Sequence, residues 1–174
     1  RWGHGTVTIE QALAHSCSTL FYDVGKKISI DTLAHYAFGY GLGKKTSLLF
    51  AQKEGLIPTT QWKQTTKQER WWPGETLSAT IGQTYILVTP IQIAHMIGSI
   101  FTGYVASPRI LVEDPIHTMP LSISKKTREF LQNSMKLVVQ KGTGRRIQHV
   151  DDFVIYAKTS TAQTSSLDKR KLGD

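Results

Sequence analysis

One tetrapeptide constrains this chain's structure more than any other, Thr89-Pro90-Ile91-Gln92. Threonine caps a helix, and proline fits the first helical position because the N–H it lacks would have no helical partner there. A glutamine three residues after the cap reaches back to the cap's own N–H. The pattern predicts a helix running to about Phe101, with Gly103 beyond its end. Other helices read from spacing. Ile9, Leu13, Leu20 and Val24 keep a helical stripe across Thr6 to Val24, with Ser16 on the same stripe and Gly25 as the stop. A second helix starts near Asp31, carries Leu33, Ala34, Ala37 and Phe38, and is ended by Gly39, Gly41 and Gly43. Ser124 opens another, with Phe130, Leu137 and Val138 facing inward and Gly142-Thr143-Gly144 closing it.

Two segments read as strands. One is Ser107 to Val112. The other, Phe153 to Ala157, holds no charge and delivers Lys158 at its end. Leu48 to Gly74, with Pro58, Trp62, Trp71, Trp72 and Pro73, shows no period and is expected to be a long structured loop. The segment Thr164 to Asp174 is polar. Helices dominate and strands come late, which is the α+β pattern, with no internal domain boundary.

Composition narrows the function classes. The 174 residues are 40% apolar and 20% charged, which suits one folded core. No stretch approaches the ~20 apolar residues of a membrane helix. The most apolar run, Ile91 to Phe101, is interrupted by Gln92, His95 and Gly98. No signal peptide is expected within these residues either. Cys17 is the only cysteine, which excludes an intrachain disulfide. No histidines pair at metal-ligand spacing, so neither a metal nor a cofactor is expected. The net charge of +8 comes from clusters such as Lys26-Lys27, Lys63 to Arg70 and Arg145-Arg146, spread along the chain. A nucleic-acid interface needs basic residues on one face with aromatics between them. Solvated surface charge is therefore expected, with attraction to an anionic envelope surface as a further reading.

The chemistry-bearing segment is Lys158-Thr159-Ser160-Thr161-Ala162-Gln163. A lysine at a strand end beside hydroxyls holds a carboxylate, with charge from the ammonium and neutral donors from Thr159 and Thr161. Taken alone, the segment reads more readily as an ordinary exposed turn. Ser16 likewise reads as a proton relay if a lysine lies beside it, or as a structural serine bonded to its own helix.

Serine β-lactamases and penicillin-binding proteins carry S-x-x-K, S-x-N-type and K-T-G segments together. This chain resembles the transpeptidase domain of class B penicillin-binding proteins, within them the elongation type, penicillin-binding protein 2. The resemblance rests on segments in the family's order. These are Trp2-Gly3-His4-Gly5, the S-x-N region Ala14 to Tyr22, Gly55-Leu56-Ile57-Pro58 and Trp62-Lys63. Gly74-Glu75-Thr76, Ile81-Gly82-Gln83, Thr89 to Gln92 and finally Lys158 to Gln163 follow.

The resemblance implies an antiparallel sheet with packed helices, the penicillin-binding and serine β-lactamase-like fold. It implies a D,D-transpeptidase that crosslinks peptidoglycan stem peptides through an acyl-serine and is blocked by β-lactams. Ser16 would relay a proton to the leaving amine. Lys158 would hold Ser16 and the substrate carboxylate. Thr161 would contact that carboxylate and lend an oxyanion donor, with Ser18, Thr159 and Ser160 along the substrate. The partners implied are a glycan-polymerising membrane protein and an elongation complex. The parent would be anchored in the cytoplasmic membrane with this domain on the periplasmic side.

Some positions depart from the family pattern. No S-x-x-K precedes Ser16; Ser122 to Lys125 and Ser166 to Lys169 match formally but fall in the wrong order. Ser18 stands where the family has an amide or carboxylate, and Ser160 where it has a glycine that lets ligand lie close to the strand. Thr84 follows Gln83 where the family favours glycine. Residues 1–174 are thus expected to be an internal part of one transpeptidase domain, without the nucleophile or the later strands. Such a piece would be inactive alone and marginally stable, because its strand edges are exposed. The alternative is a non-catalytic scaffold domain of the wall-synthesis machinery.

Overall fold

The computed structural model describes residues 3–46, 52–147 and 152–161. Trp2, Ala162, Gln163, Ser166, Lys169 and the polar segment from Thr164 onward lie outside the described residues.

The first helix, α1 (Ile9–Ala14), opens on a reciprocal cap. The Gln11 N–H donates to the Thr8 hydroxyl at 3.2 Å, and the Thr8 N–H donates to Gln11 Oε1 at 2.9 Å. The single helix expected over Thr6 to Val24 is in fact two, because the chain breaks at Ser16. Ser16 takes the left-handed conformation, φ +52°. The Cys17 N–H donates back to Ala12 O at 2.8 Å and the Ser16 N–H to Leu13 O at 3.3 Å. These two bonds form a Schellman stop, with serine where glycine is usual. The helix α2 (Ser18–Gly25) resumes immediately, but the expected stripe is not one inward face, since Ile9 is 58% and Val24 41% exposed and the residues buried near the break are Ala12, Ala14 and Cys17.

The third helix, α3 (Ile30–Gly39), is capped by Ser29 and buries Ala34, one of the residues read from spacing, together with Ile30, while Leu33, Ala37 and Phe38 are half-buried. The stretch expected to be loop between Leu48 and Gly74 instead contains α4 (Thr60–Lys67). Thr59 caps it by accepting the Trp62 N–H at 2.9 Å, and Asp31 binds both the N–H and the hydroxyl of Thr60. Pro73 opens α5 (Pro73–Ala79).

The tetrapeptide at 89–92 does what its pattern predicts. It opens α6 (Pro90–Thr102), which ends on left-handed Gly103. Gln92 does more than cap. It is 1% exposed, and its amide donates to Lys44 O at 2.7 Å and to Glu54 O at 2.8 Å, so one buried side chain ties two loops to the helix start. Two short strands follow, β1 (Tyr104–Ala106) and β2 (Thr118–Pro120), paired antiparallel with Val105 opposite Met119. They flank the segment Ser107 to Val112, which is not itself a strand. The Asp114 carboxylate accepts the Ile110 and Leu111 N–H groups there and folds the segment into a turn. Last comes α7 (Lys125–Gln140), capped by Ser124.

Phe153 to Ala157 joins no ladder among the described residues. Phe153 is 70% and Val154 58% exposed, so this is not the buried strand that its composition predicts. Its one backbone anchor among the described residues runs from the Ala157 N–H to Met135 O on α7, at 3.2 Å. A strand takes its regularity from a paired neighbour, and no described strand lies beside it.

The α+β class stands, with the sheet among the described residues reduced to a two-stranded ribbon. The packing that matters for function is α1 against α7, with α2 on α5 and α6 on β1 and α7. Ala12 and Ala14 are buried and small, which lets α1 come close to Val138 and Gly142. No helix among the described residues is long and apolar enough to cross a membrane.

Candidate active site

Three separate parts of the chain converge at the break between α1 and α2. The break presents Ser16 in a conformation that lifts it off the helix face assigned to it by its spacing. The segment after Ala157 presents Lys158 and Thr159, and the turn that ends α7 presents Thr143. Lys158 Nζ donates to Ser16 Oγ at 2.6 Å and to Thr159 O at 2.9 Å. Ser16 and Thr159 hydroxyls are 3.1 Å apart, and those of Thr159 and Thr143 2.6 Å. Thr143 is fixed in turn, since its N–H donates to Ala14 O at 3.0 Å.

Docking of α7 on α1 therefore builds the site. Gly142 lies so close to the end of α1 that a side chain there would collide with Ala14 O. The same approach brings Thr143 to the end of the helix that Ser16 terminates. On the other side, Gln83 Nε2 donates to Thr161 O at 3.1 Å. Lys158 to Thr161 is thus held by side chains from around it, in place of a strand ladder.

Partial burial lowers the Lys158 amine from its usual lysine range. No carboxylate among the described residues pairs with it. An unpaired cation beside exposed Ser160 and Thr161 suits an incoming carboxylate. A lysine whose pKa is lowered, in direct contact with a serine hydroxyl, is equipped to pass protons through that hydroxyl. Of the residues singled out from sequence, Ser16, Lys158 and Thr159 are brought into direct contact. Thr161 joins through its carbonyl. Ser18, at the exposed start of α2, and Ser160 make no side-chain hydrogen bond among the described residues.

Sequence reasoning missed Thr143 and the Gln83 contact. Gly142-Thr143-Gly144 signals only a helix stop, and sixteen residues separate the two bonded threonines. It also missed the ion pair between α4 and α5. Lys63 is 1% exposed on α4 and binds both Glu75 oxygens, at 2.6 and 2.7 Å, with Glu69 at 3.4 Å. Trp71 and Tyr85 rings flank its ammonium, each 5.8 Å away. Burial alone would raise the Glu75 carboxyl, but Lys63 and the Trp72 N–H together hold it below the usual carboxylate range. Burial alone would lower Lys63, and its two glutamates instead hold it above the usual lysine range.

Known proteins share this chain's sequence and fold. A model of the family described as Penicillin binding protein transpeptidase domain matches residues 1–174. The peptidoglycan D,D-transpeptidase MrdA of Acinetobacter baumannii is 31% identical, over 97% of this chain and 27% of its own length. The penicillin-binding protein PBP2 of Helicobacter pylori, solved in complex with MreC, superposes with a TM-score of 0.87 at 30% identity. That match covers 92% of this chain and 31% of the other. A structure described as a peptidoglycan synthase complex that coordinates polymerization and crosslinking matches with a TM-score of 0.83 at 34% identity, over 92% of this chain and 29% of that one. The chain therefore spans about a third or less of each relative's length.

Proposed function

The chain belongs to the penicillin-binding protein transpeptidase domain family, and from that premise we propose that it forms one side of the active site of a peptidoglycan D,D-transpeptidase. The observation that carries this reading is the 2.6 Å contact between Lys158 and Ser16, across 142 residues of sequence. Nothing in local structure requires it. A proton relay does.

In the proposed reaction, a serine outside these residues attacks the penultimate D-alanine carbonyl of a stem peptide. Its proton passes to the lysine of its own S-x-x-K segment, likewise outside these residues, and the bond from the serine oxygen to the carbonyl carbon forms as the bond to the terminal D-alanine nitrogen breaks. Ser16 gives its proton to that leaving amine, and Lys158 re-protonates Ser16. An amine from a second stem peptide then displaces the serine and completes the crosslink. Lys158 and the Thr161 hydroxyl hold the substrate carboxylate, while Thr159 and Ser160 lie along the peptide and Ser18 faces its amide. β-Lactams, which carry a carboxylate beside a strained amide, enter by the same route and stop at the acyl-enzyme.

Residues 1–174 act in this reading as an internal part of one transpeptidase domain. This reading sets the domain outside the cytoplasmic membrane, beside a glycan-polymerising membrane partner and other wall-elongation proteins; the relatives solved with MreC and as a peptidoglycan synthase complex support the presence of such partners.

The full-length protein treated with a fluorescent penicillin tests the reading. Covalent labelling of the wild type, reduced at least tenfold in rate by Lys158→Ala, is the expected result. Absence of labelling in the intact protein would instead support the non-catalytic scaffold, which has no use for the Lys158–Ser16 contact.

A further inference from the structure

Four polar groups form a row from Lys158 through Ser16 and Thr159 to Thr143, and the row ends at Ala14 O, 3.4 Å from the Thr143 hydroxyl. Its two ends are chemically unequal. An ammonium has only hydrogens to give, and a backbone carbonyl can only accept. Each hydroxyl between them has one hydrogen. The ends therefore set one direction for the row, with Lys158 donating to Ser16, Ser16 to Thr159, Thr159 to Thr143, and Thr143 to Ala14 O.

We propose that Thr143 is a positioning residue for the Ser16–Lys158 pair: by accepting the Thr159 hydrogen it keeps Thr159 from donating to Ser16, so that Ser16 remains open to the lysine. The proposal rests on the transpeptidase reading only for what Ser16 then does; the orientation of the row stands on geometry. Thr143 makes no hydrogen bond to Ser16 or Lys158 among the described residues. It acts through Thr159, at the shortest hydroxyl–hydroxyl separation in the row, 2.6 Å. Its own rotamer is constrained from behind, because its backbone N–H and its hydroxyl share the Ala14 carbonyl.

Without the Thr143 hydroxyl, the Thr159 hydrogen has one remaining neighbour in the row, Ser16 Oγ at 3.1 Å. Ser16 would then accept from two donors, and its bond to the ammonium would weaken. A hydrogen bond to the charged form of a group raises a lysine's pKa, so its weakening lowers it. Burial already lowers Lys158, and no charged partner among the described residues masks a further change.

The test is a pH titration of Lys158 followed by the NMR shift of its 13Cε in the full chain. Thr143→Val should move the Lys158 midpoint to lower pH by about half a pH unit or more. Thr143→Ser, which keeps the hydroxyl, should titrate with the wild type. The double variant T143V/T159V should return to the wild-type midpoint, because it also removes the hydroxyl that turned back on Ser16. A role limited to packing predicts no such rescue. If T143V does not fold, Thr143→Ala removes the same hydroxyl with less bulk and carries the same expectations. A T143V or T143A midpoint equal to wild type, or a double variant as displaced as the single, overturns the proposal. The titration reads the Lys158 amine itself and penicillin labelling of the wild type reads the reaction, so failure of the transpeptidase reading would show separately.

Discussion

Replacing Gly142 with alanine puts one methyl where the backbone of another helix already lies. The new carbon would collide with Ala14 O, and would sit 2.8 Å from Ala14 C and 2.9 Å from Val138 Cα. Comfortable contact begins near ~3.5 Å, so α1 and the end of α7 must separate by roughly 1 Å or more. All three neighbours are backbone atoms, and no side chain can swing aside to make room. Overpacking of this kind costs about 1–3 kcal/mol. The same movement breaks the Thr143 N–H to Ala14 O bond, now 3.0 Å, for about another 1 kcal/mol. The expected loss is therefore about 2–4 kcal/mol, or a melting point lower by roughly 5–15 °C for a chain of this size.

Gly98 supplies the control. It lies inside α6 with nothing within 4 Å of an added carbon, so Gly98→Ala should stabilise by about 0.5–1 kcal/mol through helix propensity alone. Urea unfolding followed by circular dichroism measures both variants in one experiment. Equal midpoints for Gly142→Ala and wild type, or equal losses in the two variants, would refute the claim that backbone contact between α1 and α7 organises this region.

Buried polar groups supply the remaining tests. Glu75→Gln leaves Lys63 buried without its main counter-charge and should lower the melting point more than Glu69→Gln, whose carboxylate is 62% exposed. The depressed Glu75 carboxyl contributes stability above its unfolded value of 4.5, which is lost as pH falls through the folded value. Lys63 contributes below 10.5 and loses that contribution as pH rises through its raised folded value. Melting points measured across pH should therefore show an acid limb in the wild type that is flattened in Glu75→Gln, and an unflattened limb would count against the pair. His95 has both ring nitrogens buried with no hydrogen-bond partner among the described residues. His95→Leu should consequently stabilise by roughly 1 kcal/mol, and a loss of stability would mean that the imidazole finds a partner in solution.

The helices that sequence located were those whose caps or apolar stripes are local. Thr89 to Gln92, Ser124 with Gly142, and Asp31 with its glycines all act within a few residues, and their helices stand where predicted. The helix α4 escaped because the residue it buries is Lys63, so a search for apolar period finds nothing in Thr-Gln-Trp-Lys-Gln-Thr-Thr-Lys. The break at Ser16 escaped for the opposite reason. Apolar spacing is blind to a single change of φ, and the change at Ser16 leaves Ile9 and Val24 exposed at the ends of the expected stripe. Phe153 to Ala157 has a strand's composition, but pairing depends on a neighbour that composition does not supply. At the site, the order of motifs pointed to Ser16 and Lys158, and the structure places their polar atoms in contact. Thr143 and Gln83 reach the site only through tertiary packing, which no spacing in the chain encodes.

The left-handed turn at Ser16 also decides how its chemistry can be dissected. Alanine, the usual replacement, would delete the hydroxyl yet keep a side chain in a conformation that side chains disfavour. Glycine deletes the same hydroxyl and relaxes the backbone at the same stroke. At this position the smallest residue is the conservative one, and it separates the loss of a proton carrier from damage to the bend that holds it.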